Sequence, residues 1–400
     1  MAYGQRAMAR LDELARFTET PGELTRRFLS DAHKQAALQV QDWMQQAGMK
    51  AQIDDAGSVV GRYGSGARTL MIGSHIDTVV NAGKYDGNFG VIAAIEAISA
   101  LPPTPLPFAI EILAFGDEEG VRFPKTLSGS KAVAGCFDAT ALDGCDQDGM
   151  SMRAALQAFG CNPEHIQALK RPDLAAYIEL HIEQGPVLER ENRPLGVVSA
   201  INGATRLNVS LTGTAGHAGT VPMTLRRDTL AAAADMILAI ESLARQIPDL
   251  VATVGQIKAL PNAANVIAGQ TIFSVDLRAP DDHLRDSAHN AITGALHDIA
   301  QRRLVGIEIT LTHLAKAARC DPALQAELGV AIGATGHTPL TLPSGAGHDA
   351  MVFTGTCPMA MMFVRCAGGI SHNPAESITT EDADYAIRAL LHFIQNTQIG

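Results

Sequence analysis

Three apolar runs in the first half of this 400-residue chain each end in a short burst of imidazoles and carboxylates. They are TLMIGSHIDTV from Thr69, FAIEILAFGDEEG from Phe108 and AAYIELHIEQG from Ala175. Apolar runs of this length, closed by glycine and polar residues, read as strands buried on both faces. A helix-period stretch from Phe89 to Leu101 lies between the first two. Strands alternating with helices specify an α/β sheet with helices on its faces. Such sheets place their sites just past strand C-termini, where these polar bursts fall.

The rest of the chain predicts a second, different unit. The first 70 residues read as helices, one of them around Ala36–Ala47, followed by the short strand VVGRYGSG. After Gly203, ATRLNVSLTGTAG alternates as a half-exposed strand, and an Ala-rich helix is expected from Asp228 to Ile247. VATVGQIKAL and TIFSVDLRA then read as strands, Asp282–Arg303 as a helix and GIEITLTHL as a strand. That β-α-β-β-α-β order is the ferredoxin-like pattern. It predicts an inserted domain over 206–317, with the first domain assembled from 1–205 and 318–400. The α/β character resumes after Ala318 and ends in a helix near Asp382–Gln395.

Composition removes several classes of function. The net charge is −11 and no Lys/Arg-rich stripe occurs, so neither nucleic acid nor an anionic membrane is an expected partner. Six scattered cysteines without a CxxC pair exclude a disulfide framework and a thiolate zinc site. The N-terminus is an amphipathic helical pattern with charges throughout, and the apolar stretch Val91–Leu101 is short and broken by Glu96. A cytoplasmic location is the expectation.

The candidate chemistry lies in the polar bursts. His75 and Asp77, two apart on a strand, project to one face, and a ligating His donates its other ring N–H to such a carboxylate. Asp86 follows in the turn-rich NAGKYDGNFG. Asp117, Glu118 and Glu119 stand side by side at a strand end, where like charges call for a cation or protons. His181 and Glu183 repeat the theme, and His372 sits in the loop GGISHNPAE. Each alone has a plain structural alternative: a His–Asp hydrogen bond, a capping Asp, a solvated acidic turn. His33, His283, His289, His297 and His392 fall on amphipathic helices and read as surface or core-edge residues.

As a set, the residues can build a two-metal site. His75 and His181 would hold one ion, Glu119 and His372 the other, with Asp86 shared and Glu118 left as general base. Imidazole and carboxylate donors without thiolate favour Zn²⁺, and Mn²⁺ is also compatible.

The motifs GSHIDTV…YDGNFG, FGDEEGVRFP, ELHIEQGPVLE, GHAGTVPM and SGAGHDA…GGISHNPAE span essentially the whole chain. In that order they resemble the metal-dependent amidohydrolases of the aminoacylase/carboxypeptidase-like superfamily. Within it they are similar to the branch of allantoate amidohydrolases, N-carbamoyl-L-amino-acid hydrolases and β-ureidopropionases. The resemblance implies a mixed-sheet α/β catalytic domain holding two metal ions, with an inserted ferredoxin-like α+β domain serving as lid and homodimer contact. It implies His75, Asp86, Glu119, His181 and His372 as ligands and Glu118 as catalytic base.

In the insertion it points to His217 as an oxyanion or substrate contact delivered across the dimer interface, and to Asn265 and Arg278 as substrate holders. The planar fork of Arg278, in a strand as apolar as TIFSVDLRA, suits a carboxylate; an interdomain salt bridge is the alternative. Gln184, Arg206 and His348 are further candidate contacts. The implied activity is hydrolysis of a non-peptide C–N bond in a small ureido acid. Allantoate, giving ureidoglycine, ammonia and carbon dioxide, is the favoured substrate; N-carbamoyl-L-amino acids and β-ureidopropionate remain alternatives that no single residue separates. A non-catalytic metal-binding protein on the same scaffold is the competing class, against which the intact Glu118–Glu119 pair speaks.

Overall fold

The computed structural model describes residues 2–399, and the chain divides into two units. One takes the chain up to Ser199, then Cys320–Leu342 and the part from Ala346 onward; the other takes Ala200–Arg319 with Pro343–Gly345. The division therefore falls just outside the expected 206–317. The chain is paired at the crossover, with Ala318–Arg319 antiparallel to Ala200–Ile201 and the Asn202 N–H donating to Ser344 O.

In the first unit, strands Ala109–Phe115, Thr69–His75, Leu174–Ile182 and Met359–Val364 lie side by side in that order, all parallel. Val59–Tyr63 and Lys50–Ile53 extend the sheet antiparallel on one side, and Leu195–Ile201 does so on the other, which makes it a mixed sheet. Every residue of Thr69–His75 and of Ala109–Phe115 is buried, as their unalternating apolar sequences require.

Helix Asn88–Ser99 is buried almost all round because it packs against the sheet and against helices Tyr3–Leu14 and Thr380–Asn396. Its Glu96 is tolerated there because Arg6 and Arg10 of the N-terminal helix reach its carboxylate at 2.7 and 2.9 Å. Since the four central strands run parallel, their C-terminal ends share one edge. That edge collects His75, the Gly116–Glu119 turn after Phe115, and His181.

Three local expectations change. His33 is fully buried rather than at the surface or the core edge: its ring stacks on Phe159, packs edge-on to Phe28, and its Nδ1 accepts the Leu29 N–H. The helix Asp31–Gln46 begins five residues before the periodic stretch read from Ala36 because Ser30 caps the His33 N–H. In the second unit, VATVGQIKAL forms two short strands, Val251–Thr253 and Ile257–Leu260, rather than one. The break comes where the Gln256 N–H turns to the Ser274 hydroxyl.

The second unit has an antiparallel sheet in the order Ile257–Leu260, Gln270–Ala279, Gly203–Thr212, Gly306–Ala315. Helices Thr229–Gln246 and Asp282–Arg303, capped by Asp228 and Asp281, bury one face of it. The core there alternates in the way the sequence does: Leu207, Val209 and Leu211 from one strand, and Phe273, Val275 and Leu277 from the next, meet Met236, Ile240, Ile292 and Leu296 of the helices. No helix among the described residues is long and apolar enough to cross a membrane.

Candidate metal centre

The shared strand edge brings His75, Asp86 and His181 within one ligand-sized group, and Asp86, Glu119 and His372 within another. Asp86 belongs to both. Its Oδ1 lies 3.2 Å from His181 Nε2 and 3.6 Å from His75 Nε2. Its Oδ2 lies 3.3 Å from His372 Nε2, which is in turn 3.4 Å from Glu119 Oε2. Glu118 Oε2 stands 3.9 Å from His75 Nε2. Asp86 reaches this point because the chain turns sharply after it: Gly87, at φ +63°, caps the following helix and presses on His75, where a Cβ would come within 2.4 Å of the ring.

The ring orientations leave Nε2 as the donor atom. His181 Nδ1 is 2.9 Å from Ile182 O and His75 Nδ1 is 3.1 Å from Asp77 O, so each Nδ1–H has an acceptor and each Nε2 carries its lone pair inward. The Gly87 N–H donates to His181 Nε2, consistent with that tautomer. Glu119 Oε1 is buried with no hydrogen-bond partner among the described residues. Converging lone pairs and an unpartnered buried carboxylate oxygen are what divalent cations satisfy, so these residues fit the implied metal ions.

The electrostatic field favours a cation as well. Burial alone would lower the His75 pKa, yet Asp77 and Asp86 hold it well above the ordinary range. His372 is raised by Asp86, and His181 is raised by the same carboxylate against its burial. The three imidazoles in turn overcome burial to keep Asp86 well below the usual carboxylate range. Glu118 is pushed well up by burial, and Glu119 to about 7 by burial and then Asp86, His75 working against it.

Asp77 plays a broader part than an orienting carboxylate for His75. The strand ends at His75, so the Asp77 backbone carbonyl is the nearer acceptor, and its Oδ1 is 3.5 Å from His75 Nδ1. The carboxylate also accepts the backbone N–H groups of Glu118 and Glu119 at 3.2 and 3.1 Å, which fixes the acidic turn. Asp117 points away and accepts from the Ser128 hydroxyl, and Glu183 caps the short helix Val187–Arg190. Gln184, at φ +59°, donates to Asp86 Oδ1 at 3.1 Å; His372 is likewise left-handed at φ +53°. Such backbone strain gathers at sites that hold side chains in fixed places. His348 is fully buried with its ring centroid 4.5 Å from that of His181, and burial lowers its pKa well below the ordinary value.

Several residues at this edge have no motif that announces them. Glu179 lies beneath His181 and accepts from the Ser74 and Tyr177 hydroxyls and the Ala350 N–H. Its signal was strand parity: it shares a face with His181, two residues on. Ser371 and Glu376, which hold Asp86, had none.

The remaining candidates lie in the second unit. His217 and Asn265 are exposed and adjacent, since Gly216–His217 pairs with Val266–Ile267 and the Ala218 N–H donates to Asn265 O. The fork of Arg278 is already engaged: Nε and Nη2 grip Asp276 of its own strand at 2.9 and 3.1 Å, and Nη1 donates to Gly345 O. Arg206 binds the same Asp276 from the neighbouring strand. These three charges line a cavity of about 670 Å³ with Gln256, Ser274 and Asn202. Arg278 thus pairs with an acid two residues away, which strand parity places on the same face.

The profile of peptidase family M20/M25/M40 matches residues 71–396. An allantoate deiminase of Arabidopsis thaliana is 39% identical over 428 residues, covering 98% of this chain and 82% of its own length. An N-carbamoyl-L-amino acid amidohydrolase of Geobacillus stearothermophilus is 37% identical over 404 residues, covering 98% of both. A hydantoinase/carbamoylase family amidase from Burkholderia multivorans superposes with a TM-score of 0.92 at 33% identity, covering 98% of this chain and 97% of the other. Family profile, sequence relatives and solved structure agree: this chain belongs to peptidase family M20/M25/M40, in the branch that includes allantoate deiminases and N-carbamoyl-L-amino-acid amidohydrolases.

Proposed function

We propose that this chain hydrolyses a C–N bond of a linear ureido acid, with allantoate as substrate, giving ureidoglycine, ammonia and carbon dioxide. The observation that carries the reading is the pair of donor groups sharing Asp86 with Glu118 beside them, in a chain 39% identical to an allantoate deiminase. His75, His181 and Asp86 would hold one divalent ion, and Asp86, Glu119 and His372 a second, with Zn²⁺ favoured by the donors and Mn²⁺ compatible. When bound, such ions supply Lewis-acid polarisation of a carbonyl and acidify water.

The chain's own part is proton handling and placement. Glu118 takes the proton of the attacking water and delivers it to the leaving nitrogen, so hydrolysis of the ureido group releases ammonia and a carbamate that loses carbon dioxide. Asp77 keeps Glu118 and Glu119 at their places through their backbone N–H groups. Substrate contacts are assigned to Gln184 and His348 in the first unit and to Arg206, His217, Asn265 and Arg278 in the second. The same reading makes the second unit a ferredoxin-like insertion, a fold its strand order supports, and gives it lid and homodimer roles by the resemblance.

The second reading, an N-carbamoyl-L-amino-acid hydrolase, is favoured by the carbamoylase relative and by the TM-score of 0.92 with the hydantoinase/carbamoylase family structure. Ammonia and carbon dioxide release by metal-loaded protein on allantoate, N-carbamoyl-L-amino acids and β-ureidopropionate separates the two. A wide kcat/KM margin for allantoate is expected. A margin for a carbamoyl amino acid replaces the substrate and keeps the mechanism; no turnover on any of them, with metal bound, removes the enzymatic reading.

A further inference from the structure

Glu376 is a buried carboxylate, 4% exposed, and no Lys or Arg among the described residues pairs with it. An acid is costly to bury without a cation unless hydrogen bonds compensate it. Its partners are all parts of the metal centre's framework. Oε1 accepts the backbone N–H of Tyr85 at 2.9 Å and of Asp86 at 3.0 Å. Oε2 is 3.0 Å from the Ser371 hydroxyl, which is itself 2.6 Å from Asp86 Oδ2. Gly83 makes room for this contact, since a Cβ there would lie 2.5 Å from Glu376 Oε1.

The Ser371 contact is one-sided. Asp86 Oδ2, the oxygen that faces His372, is the one touched by Ser371; Oδ1, which faces His75 and His181, is held instead by Gln184. Ser371 also precedes His372 directly in the chain, and the Glu376 N–H closes a turn onto Asn373 O. The compact segment 371–376 therefore carries the His372 ring and is bolted to a carboxylate nearly 290 residues earlier through Glu376 and Ser371.

We propose that Glu376 and Ser371 are positioning residues that set the distance between Asp86 and His372, and through it the affinity of the second ion position alone. The inference rests on the two-ion reading above. Glu376 fixes the Asp86 backbone while Ser371 aims its Oδ2, so loss of either slackens the Asp86–Glu119–His372 group. The His75–Asp86–His181 group keeps its own supports in Asp77, Ile182 and Gln184.

The test is Zn²⁺ retention by metal-loaded protein dialysed against a graded chelator, read as equivalents per chain, alongside kcat. Glu376→Ala is expected to weaken one equivalent by about 10–100-fold and leave the other unchanged. Glu376→Gln, whose amide oxygen still accepts both N–H groups, is expected to recover retention to within a few-fold, which distinguishes placement from charge. Ser371→Ala disturbs neither N–H contact, so it serves if the alanine variant at 376 fails to fold; about tenfold weaker retention of the same single equivalent is expected. Equal loss of both equivalents, or unchanged retention in Ser371→Ala and Glu376→Ala, would overturn the proposal, as would a wild-type protein with only one ion position. A wild-type protein that retains two ions but hydrolyses no ureido acid would defeat the functional reading and leave the clamp standing.

Discussion

The Nε2 atoms of His75 and His181 face each other across 3.4 Å, each with its Nδ1 committed to a backbone carbonyl. Two ring nitrogens aimed at each other beside the Asp86 carboxylate call for positive charge among them, which a divalent cation supplies. Stripping divalent ions is therefore expected to lower the melting temperature, and adding Zn²⁺ to restore it. Ligand held at a thousand times its Kd contributes about 4 kcal/mol by linkage. Scanning calorimetry of chelated and reloaded protein reads this directly; identical melting curves would dismiss the cluster as a metal site.

Glu118 lies next to the donor groups without belonging to either. Glu118→Gln is expected to retain the wild-type number of ions and to lower kcat by about 10²–10⁴-fold, the range general bases contribute. Metal analysis and steady-state kinetics on one preparation check both halves. Near-normal turnover would take Glu118 out of its role.

His33 and Asp54 give the fold opposed pH responses. Burial lowers the His33 pKa to about 4 from 6.5, so the unfolded chain takes up this proton first. The stability contribution of neutral His33 is complete above pH 6.5 and declines as pH falls towards 4, by roughly 3 kcal/mol over the window. Burial raises Asp54 to about 6 from 3.8, so there the folded state takes up the proton first and gains stability as pH falls from about 6 to 3.8. Urea midpoints between pH 4 and 7 should flatten on the acid side in His33→Asn and steepen in Asp54→Asn. Parallel profiles for all three proteins would contradict the assignment.

Arg26 is 1% exposed and spends its guanidinium on neutral oxygens alone: Ile76 O, Leu14 O, Phe17 O and Asn88 Oδ1. Asn88 in turn donates to Asp86 O, so the arginine supports the loop that carries the shared carboxylate. Arg26→Met leaves these acceptors buried and unmet, and a loss of about 3–5 kcal/mol is expected in equilibrium unfolding. A change below about 1 kcal/mol would mean that water replaces the side chain.

Much of the donor set is legible in the chain because each residue adjoins an apolar strand or a glycine-rich turn: His75, Glu118, Glu119, His181, Asp86 and His372. The residues that were not legible share one trait. Arg26 in TRRFLS and Glu376 after GGISHNPA stand in no pattern that marks them, and His33 reads as a surface or core-edge residue of a helix. Their burial is created by segments distant in sequence. Asp276 is the instructive exception: it was visible two residues before Arg278, and strand parity alone would have paired them.

The sequence by itself determined the elements, because periodicity, capping residues and unalternating apolar runs are local properties acting within a turn or a strand. It also determined which side chains stand at strand ends. Only the tertiary structure decided that those ends meet. Met359 pairs beside Tyr177, and Thr69 beside both Ala109 and Leu174, by backbone hydrogen bonds between segments far apart in the chain. Parallel register then carries His75, Glu119 and His181 to one edge, where Asp86, held by Glu376 and Ser371, can face two donor groups at once. Strand order and register are non-local, since the packing of whole faces selects them, and no window of sequence contains them.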